Sequence, residues 1–209
     1  MAEDPENWTE LKASVAEWLN RSDLTSKIPE LIALAERKFN RIIVTPERET
    51  IATVSLTGEA LALPSDFWQL RSVFLDTDPR QALMQVTPMV LRTEYADQTT
   101  GKPRAFAIED GQLIFGPAPD TTYTVKIGYV ATIPALDGTT ASNWLLTKHP
   151  DIYLYGTLLA AEAYLWNDAR LPVWKNAMDE AIAELADAGN RYRASVPTRL
   201  RSPVVGWGI

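Results

Sequence analysis

The chain has 209 residues, 46% hydrophobic and 22% charged, with a single histidine and no cysteine. That balance suits one globular domain, with room for an insertion, and a chain this long buries about 70% of its unfolded surface. Disulfides and thiolate–metal sites are excluded, which suits a reducing cytoplasm, and no run of about 18 apolar residues is present to cross a membrane.

Charge is unevenly spread. Residues 191 to 209 carry Arg191, Arg193, Arg199 and Arg201 and no acid, so the overall −7 less this +4 leaves −11 on the other 190 residues. An acidic body argues against a sequence-reading DNA protein, which shows a basic stripe. The basic segment serves either an acidic partner or solubility. The opening stretch "MAEDPENWTE" is acidic, with neither the basic nor the apolar region of a secretory signal, and none is expected.

In chain order, Trp8, Leu11, Val15, Trp18 and Leu19 recur at helical spacing. Asn7 is the expected cap, with Glu10 completing a capping box. "NRSD" ends that helix. A second stripe comes next, Ile28, Leu31, Ala35, Phe39 and Ile42, with Pro29 tolerable in the first turn. Two amphipathic helices this close predict an antiparallel hairpin.

From Glu49 the period changes to two. "ETIATVSL" predicts a strand with Ala52, Val54 and Leu56 on one side, and "TGEA" its turn. "LPSDF" predicts a single helical turn, "WQLRSVFLD" a second strand and "TDPR" a turn. "TPMVLRTEY" predicts a short helix capped by Thr87 with Pro88 at its first position. Asp110-Gly111 supplies the positive φ angles of a tight hairpin joining Phe106/Ile108 to Leu113/Phe115. "TTYTVKIGYVA" alternates strictly, which predicts a half-buried antiparallel strand with Tyr123, Val125, Ile127 and Tyr129 inward.

After a long loop, residues 150 to 167 predict a helix of about 27 Å. A last helix begins at Pro172 and carries Trp174, Met178, Ala181, Leu185 and Ala188, its pattern ending at Asn190. "SVPTRLRSPVVGWGI" has two prolines and two glycines and predicts an extended arm. The fold class is α+β, a helical bundle holding an inserted antiparallel β-rich region. Residues 1–46 are the N-terminal helices, 47–142 the β-rich insertion, 143–194 the C-terminal helices and 195–209 the basic arm.

Candidate chemistry is sparse. His149 stands before Pro150, which pushes it out of helical geometry, and Asp151 falls in the positive first turn of the next helix. "HPD" lacks the spacing of a helical metal motif, and Ser142 and Asp151 form no nucleophile elbow with His149. His149 is read as the start of a helix, and no catalytic residue, cofactor or metal ligand set is expected. Ile152, Leu154, Leu158, Leu159, Leu165 and Trp166 surround the helix after it almost completely. A helix apolar all round must be covered on several sides, by its own bundle or by a neighbouring subunit. Trp207 lies in "VVGWGI" with no local core to join, which leaves an anchor into a partner or a disordered end.

Four stretches in order, "DLTSKIPELIALAERKFNR", "LPSDFWQLRSVFL", "GKPRAFAIEDGQLIFGPAPDTTYTVKIGYVATIPAL" and "NWLLTKHPDIYLYGTLLAAEAYL", carry a resemblance. Over roughly residues 23 to 190 the chain resembles the head–tail adaptor proteins of tailed bacteriophages, also called head-completion or connector proteins. The resemblance implies a non-enzymatic structural protein that forms a ring with itself, typically of twelve subunits. Such a ring sits beneath the portal protein, extends the DNA channel and offers a docking surface to a tail, stopper or nozzle protein. Double-stranded DNA passes without sequence-specific binding, and no membrane is involved. The expected place is the head–tail junction of a virion assembled in the host cytoplasm. By position alone, the segment with Arg191, Arg193, Arg199, Arg201 and Trp207 is assigned to portal contact. A tail-completion or tail-tube protein is the nearest rival, and a small cell-wall hydrolase using unidentified carboxylates a more distant one.

Overall fold

The computed structural model describes residues 4–95, 100–165 and 169–194. They are α+β and divide into two compact units, one built from both ends of the chain (residues to Pro46 and from Trp144) and one from Glu47–Asn143.

The first unit is helical. α1 (Trp8–Leu19) starts where the Asn7 side chain accepts from the amides of Thr9 and Glu10. Glu10 accepts from the Glu6 amide at 2.8 Å, one residue ahead of the cap position that a reciprocal box would use. Asn20 closes the helix in the left-handed region at φ 51°, which asparagine tolerates. Leu11, Val15 and Leu19 are buried, but Trp18 is exposed and meets the Tyr155 ring edge-on at 6.0 Å. A 3₁₀ stretch, Ser22–Lys27, leads into α2 (Ile28–Ile42). Here Ile28, Leu31, Ala35 and Phe39 are buried while Ile42 faces out. The helix stops at Ile42, and the extended Ile43 (φ −92°, ψ 112°) turns its side chain into the core instead.

α4 (Trp144–Lys148) and α5 (Pro150–Ala160) come after the loop, and α5 is shorter than its apolar run predicts. The Ala161 amide is shared between the carbonyls of Thr157 and Leu158, and the chain tightens into a 3₁₀ turn, Glu162–Tyr164. α6 (Leu171–Ala194) runs four residues past Asn190. Arg191 and Arg193 in its last turn suit the negative end of the helix dipole. Its buried row is Trp174, Met178, Leu185 and Gly189, whereas Ala188 is exposed. α5 packs against α1, α2, α4 and α6, so it is the unit's central helix.

The second unit holds two four-stranded sheets. β1 (Glu49–Leu56), β8 (Tyr123–Ala131), β3 (Phe67–Leu75) and β4 (Gln81–Ala82) form the first, in the order β1-β8-β3-β4. β2 (Ala60–Ala62), β7 (Gln112–Gly116), β6 (Ala105–Glu109) and β5 (Met84–Gln85) form the second, in the order β2-β7-β6-β5. All pairings are antiparallel except β5 with β6. The β6–β7 hairpin turns on Asp110 and Gly111, both at positive φ (48° and 71°), and pairs Phe106 with Phe115 and Ile108 with Leu113. Leu56, Val73, Val125, Ile127 and Tyr129 from the first sheet share one core with Phe106, Leu113 and Phe115 from the second.

"LPSDF" is a turn, closed by the Phe67 amide on the Pro64 carbonyl at 3.0 Å, and not a helical turn. β8 departs from simple alternation too. It lies between β1 and β3, so Gly128 and Val130 on its second face are also buried. α3 (Pro88–Glu94) is capped by the Thr87 hydroxyl, and Leu91 packs on Ala105 and Ala107 of β6. Gly116 is required beneath it: a Cβ there would stand 2.8 Å from both Leu91 Cδ1 and Tyr95 Cδ2.

Candidate functional site

His149 caps α5 by position only. It is half-buried at φ −140° and ψ 62°, its side chain makes no capping bond, and its amide donates to the Leu145 carbonyl at 2.8 Å. Among the described residues no three His, Asp or Glu side chains gather as a metal site.

The helix it introduces is enclosed by this chain. Ile152 and Leu158 are wholly buried, Leu154 and Leu165 nearly so, and Leu159 is half-buried, while Trp166 lies outside the described residues. Its apolar girth is therefore core of the helical unit. A polar pair sits inside that core: the Tyr153 hydroxyl donates to Glu36 Oε1 at 3.1 Å, with both side chains buried. Arg191 and Arg193 are exposed on the last turn of α6. Arg199, Arg201 and Trp207 lie outside the described residues.

The surface features fall elsewhere. In the helical unit, Leu31, Ala33, Leu34 and Arg37 of α2 and Ala160, Ala163 and Tyr164 border a groove of about 400 Å³. In the β unit, α3 and the edge of the second sheet border a groove of about 580 Å³, with Leu91, Tyr95, Ile114 and Phe115 among its walls. Arg92 crosses its rim and donates to Glu109 Oε1 at 2.7 Å, a contact that raises the Arg92 pKa. Exposed Met89 and Met84 stand on α3 and β5. Ile51 of β1 and Trp68 of β3 are exposed as well.

Two charged clusters brace the first sheet. Asp76 pairs with Lys126 at 2.9 Å and Arg80 at 3.1 Å, and the Lys126 ammonium leads in holding its carboxyl below the usual range. Arg48 is 2% exposed, donates from Nε to the Ala131 carbonyl at 2.8 Å and lies 5.9 Å from the Trp68 ring centre; burial lowers its pKa. Arg48 shows no outward sign in sequence, since an arginine before a strand ordinarily faces water. The grooves were equally hidden, because their walls belong to elements distant in the chain.

Among the described residues no helix is long and apolar enough to cross a membrane. Comparison with curated proteins gives no match. The sequence profile of the SU10 adaptor protein family matches residues 6–201, across both compact units and on through Arg199 and Arg201. On that coverage the chain belongs to the SU10 adaptor protein family, a phage head–tail adaptor family, and is a structural component of a phage particle.

Proposed function

We propose that this chain is one subunit of a ring, of twelve copies by the family resemblance, that joins the portal protein to the tail at the head–tail junction. The ring extends the DNA channel and gives the tail, stopper or nozzle protein a surface to dock on. The observation that carries this reading is the family match across residues 6–201. Its subunits are made in the host cytoplasm and act in the virion.

Charge supports the role. A conduit must let duplex DNA slide, and basic walls would hold phosphates by displacing counterions. The acidic body, −11 without residues 191–209, avoids that adhesion. The cationic stretch Arg191, Arg193, Arg199 and Arg201 is the portal contact, since a positive segment on a negative body seeks an acidic partner. A closed ring needs a heterologous interface, in which one face of a subunit meets a different face of the next.

Electron microscopy of purified protein mixed with its portal tests the reading. Stacked rings sharing one axis are expected. A protein that stays monomeric and ignores the portal at high concentration refutes it.

A further inference from the structure

The β unit leaves one long strand edge open. β1 stands at the end of its sheet, and among the described residues it pairs with β8 alone, in unbroken register over eight residues. It has no proline, glycine, lysine or bulge, and its single charge, Glu49, is at its first position. Natural edge strands are kept short, bulged, charged or covered, because an open row of N–H and C=O groups invites pairing. This one is blunted by none of those devices. Ile51 at its middle is 62% exposed, and Thr50, Thr53 and Ser55 are exposed beside it. On the inner face Ala52 and Val54 are only half-buried, so the apolar layer between the sheets stops short at this edge.

The chain beyond Ala194 supplies an occupant. Residues 195–209 number fifteen and span up to about 50 Å when extended. After Pro203 the sequence Val204-Val205-Gly206-Trp207-Gly208-Ile209 alternates with a period of two. Val205, Trp207 and Ile209 share one face of such a strand, and Val204 with two glycines forms the other.

We propose that residues 204–209 of one copy add as a strand to the open edge of β1 in a neighbouring copy. Main-chain hydrogen bonds supply the attachment, and Val205, Trp207 and Ile209 continue the apolar row of Ala52 and Val54. The contact is head-to-tail, because a segment of one subunit fills a different surface of the next, and repeated round a ring it fills every edge. The inference rests on the ring reading. It gives the apolar tip an address separate from the portal contact assigned to the arginines.

The chain lacks cysteine, so a pair of introduced cysteines reports without background. Protein carrying Thr53→Cys, an exposed position on the outer face of β1, is mixed in turn with each single cysteine variant from position 204 to 208. The mixtures are assembled with portal, oxidised mildly and run on a denaturing gel. One cross-link is expected, at whichever of 204, 206 and 208 stands opposite residue 53, and none at 205 or 207, since only the even positions share its face and a disulfide does not reach two residues along a strand. Rings in the microscope with no cross-link, or with equal cross-linking at all five positions, overturn the strand pairing and leave the ring intact. A Thr53→Cys/Gly206→Cys chain that closes only within itself also overturns it. Absence of rings in the presence of portal removes both readings.

Discussion

Replacing Gly156 by alanine tests how the helical unit is packed. Gly156 lies inside α5, where alanine is intrinsically favoured by about 1 kcal/mol. Propensity alone therefore predicts a more stable protein. Packing predicts the reverse. A Cβ on residue 156 would stand 2.3 Å from Phe39 Cζ and 2.6 Å from Cε1, where ordinary contact begins at 3.4 Å. The Phe39 ring would have to retreat by more than 1 Å, yet it is wholly buried and packs edge-on against Tyr153 at 5.2 Å between ring centres. Overpacking of this kind costs about 1–3 kcal/mol, and an overlap with a rigid ring belongs near the upper end. Subtracting the propensity gain leaves a net loss of about 2 kcal/mol, or a Tm lower by about 4–8 °C for a chain of this size.

Thermal unfolding followed by far-UV circular dichroism measures the loss, since the helices dominate that signal. A second variant separates the ring from everything else. Phe39→Leu removes the obstructing atoms at a cost of about 1 kcal/mol, and combined with Gly156→Ala it should destabilise less than the two losses added. If Gly156→Ala raises the Tm, or if the two substitutions add to within about 0.5 kcal/mol, the glycine is not there to admit Phe39 and the reasoning fails.

Three further outcomes are expected. Tyr153→Phe takes a donor from the buried Glu36 carboxylate and should cost about 1–3 kcal/mol; an unchanged Tm would mean that the other contacts of Glu36 suffice. The Tyr129 hydroxyl, desolvated first by burial and bonded to Asp66 at 2.9 Å, has its pKa pushed up to about 12 from 10. The folded state then holds that proton longer than the unfolded one. The resulting stability is full below pH 10 and is lost as pH rises toward 12, so Tyr129→Phe should flatten the alkaline limb of a stability–pH curve. Arg199→Glu with Arg201→Glu should weaken portal docking, with the defect fading as salt is raised; docking equal to wild type at low salt would refute an electrostatic contact.

Periodicity made most of the framework legible, and it failed where termination or tertiary cover decides the outcome. The Asp-Gly hairpin and the alternation of β8 could be read because each is a local rule: two positive φ angles, a period of two. The length of α5 could not, because its apolar run continues past Ala160 while the backbone tightens into a 3₁₀ turn. Ile42 and Ile43 show the same limit. Both are apolar, and only the residue at which the helix stops decides which of them is buried. The surfaces were harder still. An active site needs unusual residues at set distances and so leaves a signature, whereas Ile51, Thr53 and Ser55 are ordinary strand residues. What sets them apart is that no described strand pairs with the outer edge of β1, a fact of topology with no counterpart in composition. For this chain the order of whole segments was therefore a better guide to function than any single residue, and its histidine, the most reactive-looking side chain, was the poorest.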